Sequence, residues 1–100
     1  MVLIKISDSA VINRNNIVSI SVENVLRDYK GWEIRFSIGD DIYFYRLNKL
    51  QTEATAKEFF ERVCFEIVTS AENHIISMAS LEAKCISIQE AERILHCEES

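Results

Sequence analysis

The side chains best suited to chemistry in this chain are its thiols, imidazoles and carboxylates, and their spacing decides what they can do. Cys85, His96 and Cys97 are the one grouping of metal-ligand types. A zinc site wants four tetrahedral ligands, usually with a closely spaced pair. Here His96 and Cys97 are adjacent and a fourth ligand is not evident, so no metal site is assigned. Asp40 and Asp41 form an acidic pair, but they fall in a turn pattern where solvated carboxylates are common. Tyr29, Trp32, Tyr43 and Tyr45 offer faces on which bases could stack, yet they include residues of the face assigned below to the core.

Other chemistry is excluded by pattern. There is no G-x-G-x-x-G, P-loop, H-E-x-x-H, C-x-x-C or nucleophile elbow. Gly31 and Gly39 are the only glycines, which excludes a phosphate-cradling loop. No spacing singles out two carboxylates as an acid/base pair. We assign no catalytic, cofactor-binding or metal-binding residue, and expect no cofactor. Cys64, Cys85 and Cys97, odd in number and irregularly spaced, read as reduced thiols of a cytoplasmic protein. Cys64 reads as a small core hydrophobe, and His74 and His96 as solvated. The start MVLIKISDSA lacks a charged leader and a long apolar segment, so it does not read as a signal peptide.

The element that would position everything else is Thr52 to Ala71. At about 100° per residue, Ala56, Phe59, Phe60, Val63, Cys64, Ile67 and Ala71 share one stripe. Thr52 is the expected N-cap, followed by Glu53 at the positive helix end. Glu53 with Lys57 and Glu58 with Arg62 are i,i+4 pairs. Phe65 and Val68 point away from the stripe.

The first half reads as strands. Residues 2–7 and 10–13 are strand candidates, Asn13 to Asn16 a turn, and 17–22 an alternating strand with Val18, Ile20 and Val22 on one face. Residues 23–31 form a long connection of the kind that carries function more often than short ones do. Residues 32–38 and 41–47 form a hairpin on a two-residue type II′ loop opened by Gly39. That register sets Trp32 against Leu47, Ile34 against Tyr45, Phe36 against Tyr43 and Glu33 against Arg46. It leaves Ile42 and Phe44 on the opposite face, beside Arg35. The helix residues Phe60, Val63 and Ile67 are expected to pack on Trp32, Ile34 and Phe36.

Beyond Ala71 the pattern leaves three courses open for residues 69–87: continued helix, fold-back, or strand. Thr69 to Glu72 and Ser87 to Glu90 each match a capping box. The second predicts a short terminal helix from Ile88, fraying from His96 onward.

The whole is a single domain, 1–50 β-rich and 51–100 helical. The fold class is α+β: an antiparallel meander packed by the helix from about residue 52, with a helical C-terminal extension. Apolar content of 48% and charged content of 27% are ordinary for a globular chain. The net charge of −5 is uneven. Residues 1–47 balance, whereas residues 48–100 carry five Lys/Arg against ten Asp/Glu. That balance argues against nucleic acid and against anionic membranes as partners.

The stretches INRNNIVSISV, WEIRFSIGDDIYFYRL and EATAKEFFERV, taken in order, resemble small bacterial pleckstrin-homology-like domains over residues 2–68. The resemblance implies a bent antiparallel sheet capped by one helix, and no common catalysis. The chain departs from that family in having too few strands for its seven-stranded sheet and about 30 residues after the helix. The basic lipid-binding loop of some members has no counterpart here. Residues 23–31 set Arg27 and Lys30 against Glu23 and Asp28.

These readings converge on a non-enzymatic, self-associating interaction module whose partner is a second copy or another protein. The alternatives are a small enzyme with an unrecognised site and an acidic inhibitor of a nucleic-acid enzyme. Phe65, Val68, Ile75, Ile76, Met78 and Leu81 exceed what one sheet can cover, and they are the expected interface. Residues 69–87 hold no Gly or Pro for a sharp turn, which favours a partner chain over fold-back.

Overall fold

A computed structural model describes residues 1–25, 31–50 and 52–99, with residues 95–99 described by backbone alone. The fold is α+β. Strands β1 (Val2–Ser7) and β2 (Ala10–Asn13) lead through a 3-10 turn at Arg14–Asn16 to β3 (Ser19–Val25), β4 (Gly31–Ile38) and β5 (Asp41–Arg46). Helix α1 (Glu53–Thr69), strand β6 (His74–Ser77) and helix α2 (Met78–Glu99) follow.

The strands form two three-stranded sheets in place of one meander. One is antiparallel, in the order β3-β4-β5; the other runs β2-β1-β6, with β6 parallel to β1. The parallel pair is possible because parallel neighbours need a long crossover, and everything between β1 and β6 supplies it. Sheet-facing alternation in β1 buries Val2, Ile4 and Ile6, and in β4 it buries Ile34 and Phe36. Helix α1 packs against β3, β4 and α2, while α2 packs against β1 and β6. One buried cluster joins both halves of the chain, and half-buried Trp32 and Phe60 lean on it.

Helix α1 begins as expected. Thr52 caps the Thr55 amide at 3.2 Å, and Thr55 Oγ1 accepts from the Thr52 amide, closing a capping box with Thr in place of Glu. Lys57 pairs with Glu53 at 2.7 Å. The second expected pair is replaced: Glu58 accepts from Gln89 of α2 at 3.1 Å, and no Glu58–Arg62 bridge forms. Ala56, Phe59, Val63 and Ile67 are the buried residues of α1. The stripe is therefore centred on Phe59; Phe60 and Cys64 flank it half-buried, and Ala71 is exposed.

Neither capping box after residue 68 starts a helix. Helix α1 ends at Thr69 with Ser70 as C-cap, and Asn73 turns the chain with φ 61°. Asn tolerates the left-handed region without glycine's freedom. The chain thus folds back through β6. Ser87 lies inside α2, its hydroxyl bonded to the Ala83 carbonyl, and α2 stays helical through His96 to Glu99. The expected short terminal helix and frayed tail are part of one long helix.

Candidate interaction surface

The β4–β5 hairpin builds the most distinctive surface. Gly39 has φ 57° and Asp40 follows it, as a type II′ loop requires. The register pairs Ile38 with Asp41, Ile34 with Tyr45, Phe36 with Tyr43 and Glu33 with Arg46. The Leu47 amide continues the ladder to the Trp32 carbonyl at 2.9 Å. Backbone groups alternate in direction along an antiparallel strand. Odd-numbered residues of β5 therefore face β4, and Ile42 and Phe44 direct their amides and carbonyls to the side where the sheet ends.

The side chains on this strand are unusually bare. Ile42 is 62% exposed, Tyr43 37% and Phe44 48%. Ile42 and Phe44 lie on the outer face opposite Ser37 and Arg35. The Arg46 guanidinium sits 5.7 Å from the centre of the Phe44 ring, within cation–π range. Arg35 donates to Glu33, a buried carboxylate on the same face. On the inner face Tyr45 is buried, with its ring centre 6.3 Å from that of Phe59.

The six residues expected as an interface divide into two sets. Phe65, Val68 and Ile75 are exposed at 60, 79 and 62%, whereas Ile76, Met78 and Leu81 are buried at 5, 0 and 7%. The second set is corrected: it belongs to the chain's own core, because the turn at Asn73 returns β6 to β1 and seats the start of α2 beneath it. Asp40 and Asp41 are exposed at the hairpin tip, and His74 is exposed in β6. Cys85 is buried in the core, which separates it from any surface cluster. The side chains of His96 and Cys97, and all of Arg27, Asp28, Tyr29 and Lys30, lie outside the described residues. Among the described residues, no group of three His, Cys, Asp or Glu is placed to hold a metal ion, and no helix is long and apolar enough to cross a membrane.

One functional-looking residue escaped the sequence. Glu82 is buried, and its Oε1 accepts the Tyr45 hydroxyl at 2.6 Å. Its Oε2 accepts the amides of Asn48 at 2.9 Å and Lys49 at 3.2 Å. Burial, then the bond to Glu82 and its charge, push the Tyr45 hydroxyl well above the usual phenol range. The readable signal was a charge at the i+4 position from Met78 and three before Cys85, on a buried helical face.

Glu82 also lines a cleft of about 360 Å³ with Tyr45, Ile86 and Glu90. Glu82 and Glu90 stand eight residues apart on α2, about 12 Å of axial rise. With both Glu82 oxygens committed to the β5–α1 connection, the pair does not converge on a reacting atom. A neighbouring cleft of about 380 Å³ is lined by Lys49, Thr52, Thr55, Gln89 and Arg93. No family model, curated protein or solved structure matches the chain.

Proposed function

We propose that this chain is a non-enzymatic interaction module of the cytoplasm that associates with a second copy of itself. The observation that carries the reading is the run Ile42, Tyr43 and Phe44, three consecutive exposed apolar residues on a strand that ends a sheet. Natural proteins blunt or cover such an edge, because its unpaired backbone groups are a template for another strand. Ile42 and Phe44 are neighbours on the outer face and Tyr43 is bare on the inner one, so the open edge is flanked by apolar side chains on both faces.

Further support comes from Glu82, whose own oxygens are taken up by Tyr45, Asn48 and Lys49 and hold structure together. The excess acidity supports a protein partner over nucleic acid or an anionic membrane. The likeness to pleckstrin-homology-like domains belongs to the same proposal, since that family has no common catalysis and fold does not carry function.

Sedimentation velocity across a concentration series up to tens of micromolar tests the reading. A reversible dimer is the expected result. A single monomeric species throughout removes self-association.

A further inference from the structure

We propose that β5 is the seat of this association: two copies add their β5 strands antiparallel about a two-fold axis at Tyr43, making one six-stranded sheet. The inference rests on the self-association proposed above, and it names the surface and register.

Backbone phase comes first. The Leu47–Trp32 bond fixes odd residues toward β4, so Ile42 and Phe44 offer their peptide groups to an added strand. The other sheet edges carry the usual deterrents among the described residues. β2 and β6 are four residues each, and β2 pairs with β1 through an irregular register. β3 sets Ser19, Ser21 and Glu23 on its outer face. β5 has no proline, its register with β4 is unbroken, and its middle residues are apolar.

Symmetry then restricts the pairing. A two-fold axis that extends a sheet stands perpendicular to it and keeps like faces together. Each residue must therefore meet one of the same parity, and the axis must pass through a residue. Centred on Tyr43, Ile42 of each copy faces the partner's Phe44, and Asp40 of each comes beside the partner's Arg46. Centred on Phe44, Ile42 faces the partner's Arg46 and Asp40 faces the partner's Asn48, so no acid meets a base across the axis.

The outer row of β5 with its turn reads Asp40, Ile42, Phe44, Arg46: acid, aliphatic, aromatic, base. Reversed upon itself about Tyr43, it matches acid to base at both ends and apolar to apolar between. That charge complementarity is what commits the occupant to a second copy of this chain. Opposite-charge and aromatic–aliphatic neighbours across strands are the favourable pairs, and two-fold closure is the commonest oligomer symmetry.

The test combines sedimentation with cysteine crosslinking in the full chain. At the axis Tyr43 faces its own copy in a non-hydrogen-bonded pair, with Cα atoms about 4.5 Å apart, within disulfide reach. Tyr43→Cys should crosslink under mild oxidation well above the wild-type background, and Phe44→Cys much more slowly. Ile42→Lys with Phe44→Lys, both exposed sites, should weaken the dimer roughly a hundredfold or more, with circular dichroism unchanged. Faster crosslinking of Phe44→Cys overturns the register. A wild-type dimer that survives the double Lys variant, with no crosslink through Tyr43→Cys, overturns the β5 seat while self-association stands. A wild-type monomer overturns both.

Discussion

Tyr45 donates its hydroxyl hydrogen to Glu82 at 2.6 Å, and through that bond the last turn-facing residues of β5 are tied to the first turns of α2. The same carboxylate takes the amides of Asn48 and Lys49, so one buried charge satisfies a donor from β5 and two from the connection leading to α1. Glu82→Ala leaves those donors without their acceptor at a part-buried site and should cost about 1–3 kcal/mol. Tyr45→Phe removes a single charge-assisted bond and should cost about 1–2 kcal/mol. Urea denaturation of both, and of Glu82→Gln, checks the order. A Glu82→Ala midpoint equal to wild type would refute the structural role.

The same bond predicts an alkaline limb. The Tyr45 hydroxyl ionises above its ordinary value of 10.0, through burial first and then the bond to Glu82. A group whose pKa is raised in the folded state holds its proton there after the unfolded chain has lost it. Its contribution is complete below about pH 10 and falls as pH rises beyond that point. Stability measured between pH 9 and 11.5 should decline in the wild type and decline less in Tyr45→Phe. Parallel declines would remove Tyr45 as the cause.

Core packing places Phe59 at the centre of the helix contact. It is fully buried, whereas Phe60 is half-buried. Phe59→Ala should cost about 3–5 kcal/mol and Phe60→Ala distinctly less. Denaturation midpoints of the two variants decide it, and the reverse order would mean that the helix is rotated from the orientation described.

What could be read in advance was what is local. Gly39 and the alternation around it were enough for the hairpin, including the placement of Ile42 and Phe44 beside Arg35. The apolar stripe gave α1 but could not separate Phe59 from Phe60, which lie 100° apart on a face wide enough for both. Strand order is not local, so nothing in the sequence said that the sheet ends at β5. Four residues of β6 carry too little periodicity to mark a strand, and its partner β1 lies some seventy residues away. The turn before it carries no Gly or Pro, and Asn73 supplies the left-handed residue in their place.

That turn is open to test. With φ at 61°, Asn73 stands where β-branched side chains are strained. Asn73→Val should cost about 1–2 kcal/mol, while Asn73→Gly should be close to neutral. If Val is tolerated as well as Gly, the fold-back does not depend on this conformation.

The thiols yield a chemical prediction. Burial raises the Cys85 thiol above its ordinary value, with the Glu58 charge adding to it. Burial and then Glu61 do the same for Cys64. Both stay protonated at neutral pH, so a disulfide reagent at pH 8 should react slowly with Cys64 and Cys85 in the native chain and fast after denaturation. Cys85→Ser places a hydroxyl in the core and should cost about 1–3 kcal/mol. Rapid native labelling of Cys85, mapped by mass spectrometry, would contradict its burial.

Arg14 closes the far end of α1. Helix C-termini leave carbonyls unpaired and carry partial negative charge, and α1 has no basic residue in its own last turn. Arg14, from the 3-10 turn after β2, reaches across and donates Nη1 to the carbonyls of Ile67 at 3.1 Å and Ser70 at 3.0 Å. Its second nitrogen pairs with Glu72 at 3.4 Å. The Arg14 side chain is three-quarters covered. Arg14→Ala should cost about 1–3 kcal/mol. Arg14→Lys should recover only part of that, since one ammonium cannot reproduce the fork. Hydrogen exchange of the Ser70 amide, which bonds the Glu66 carbonyl at 3.0 Å, should accelerate in Arg14→Ala more than exchange in the first turn of α1. Uniform acceleration along α1 would show that Arg14 acts on global stability and not on the helix end.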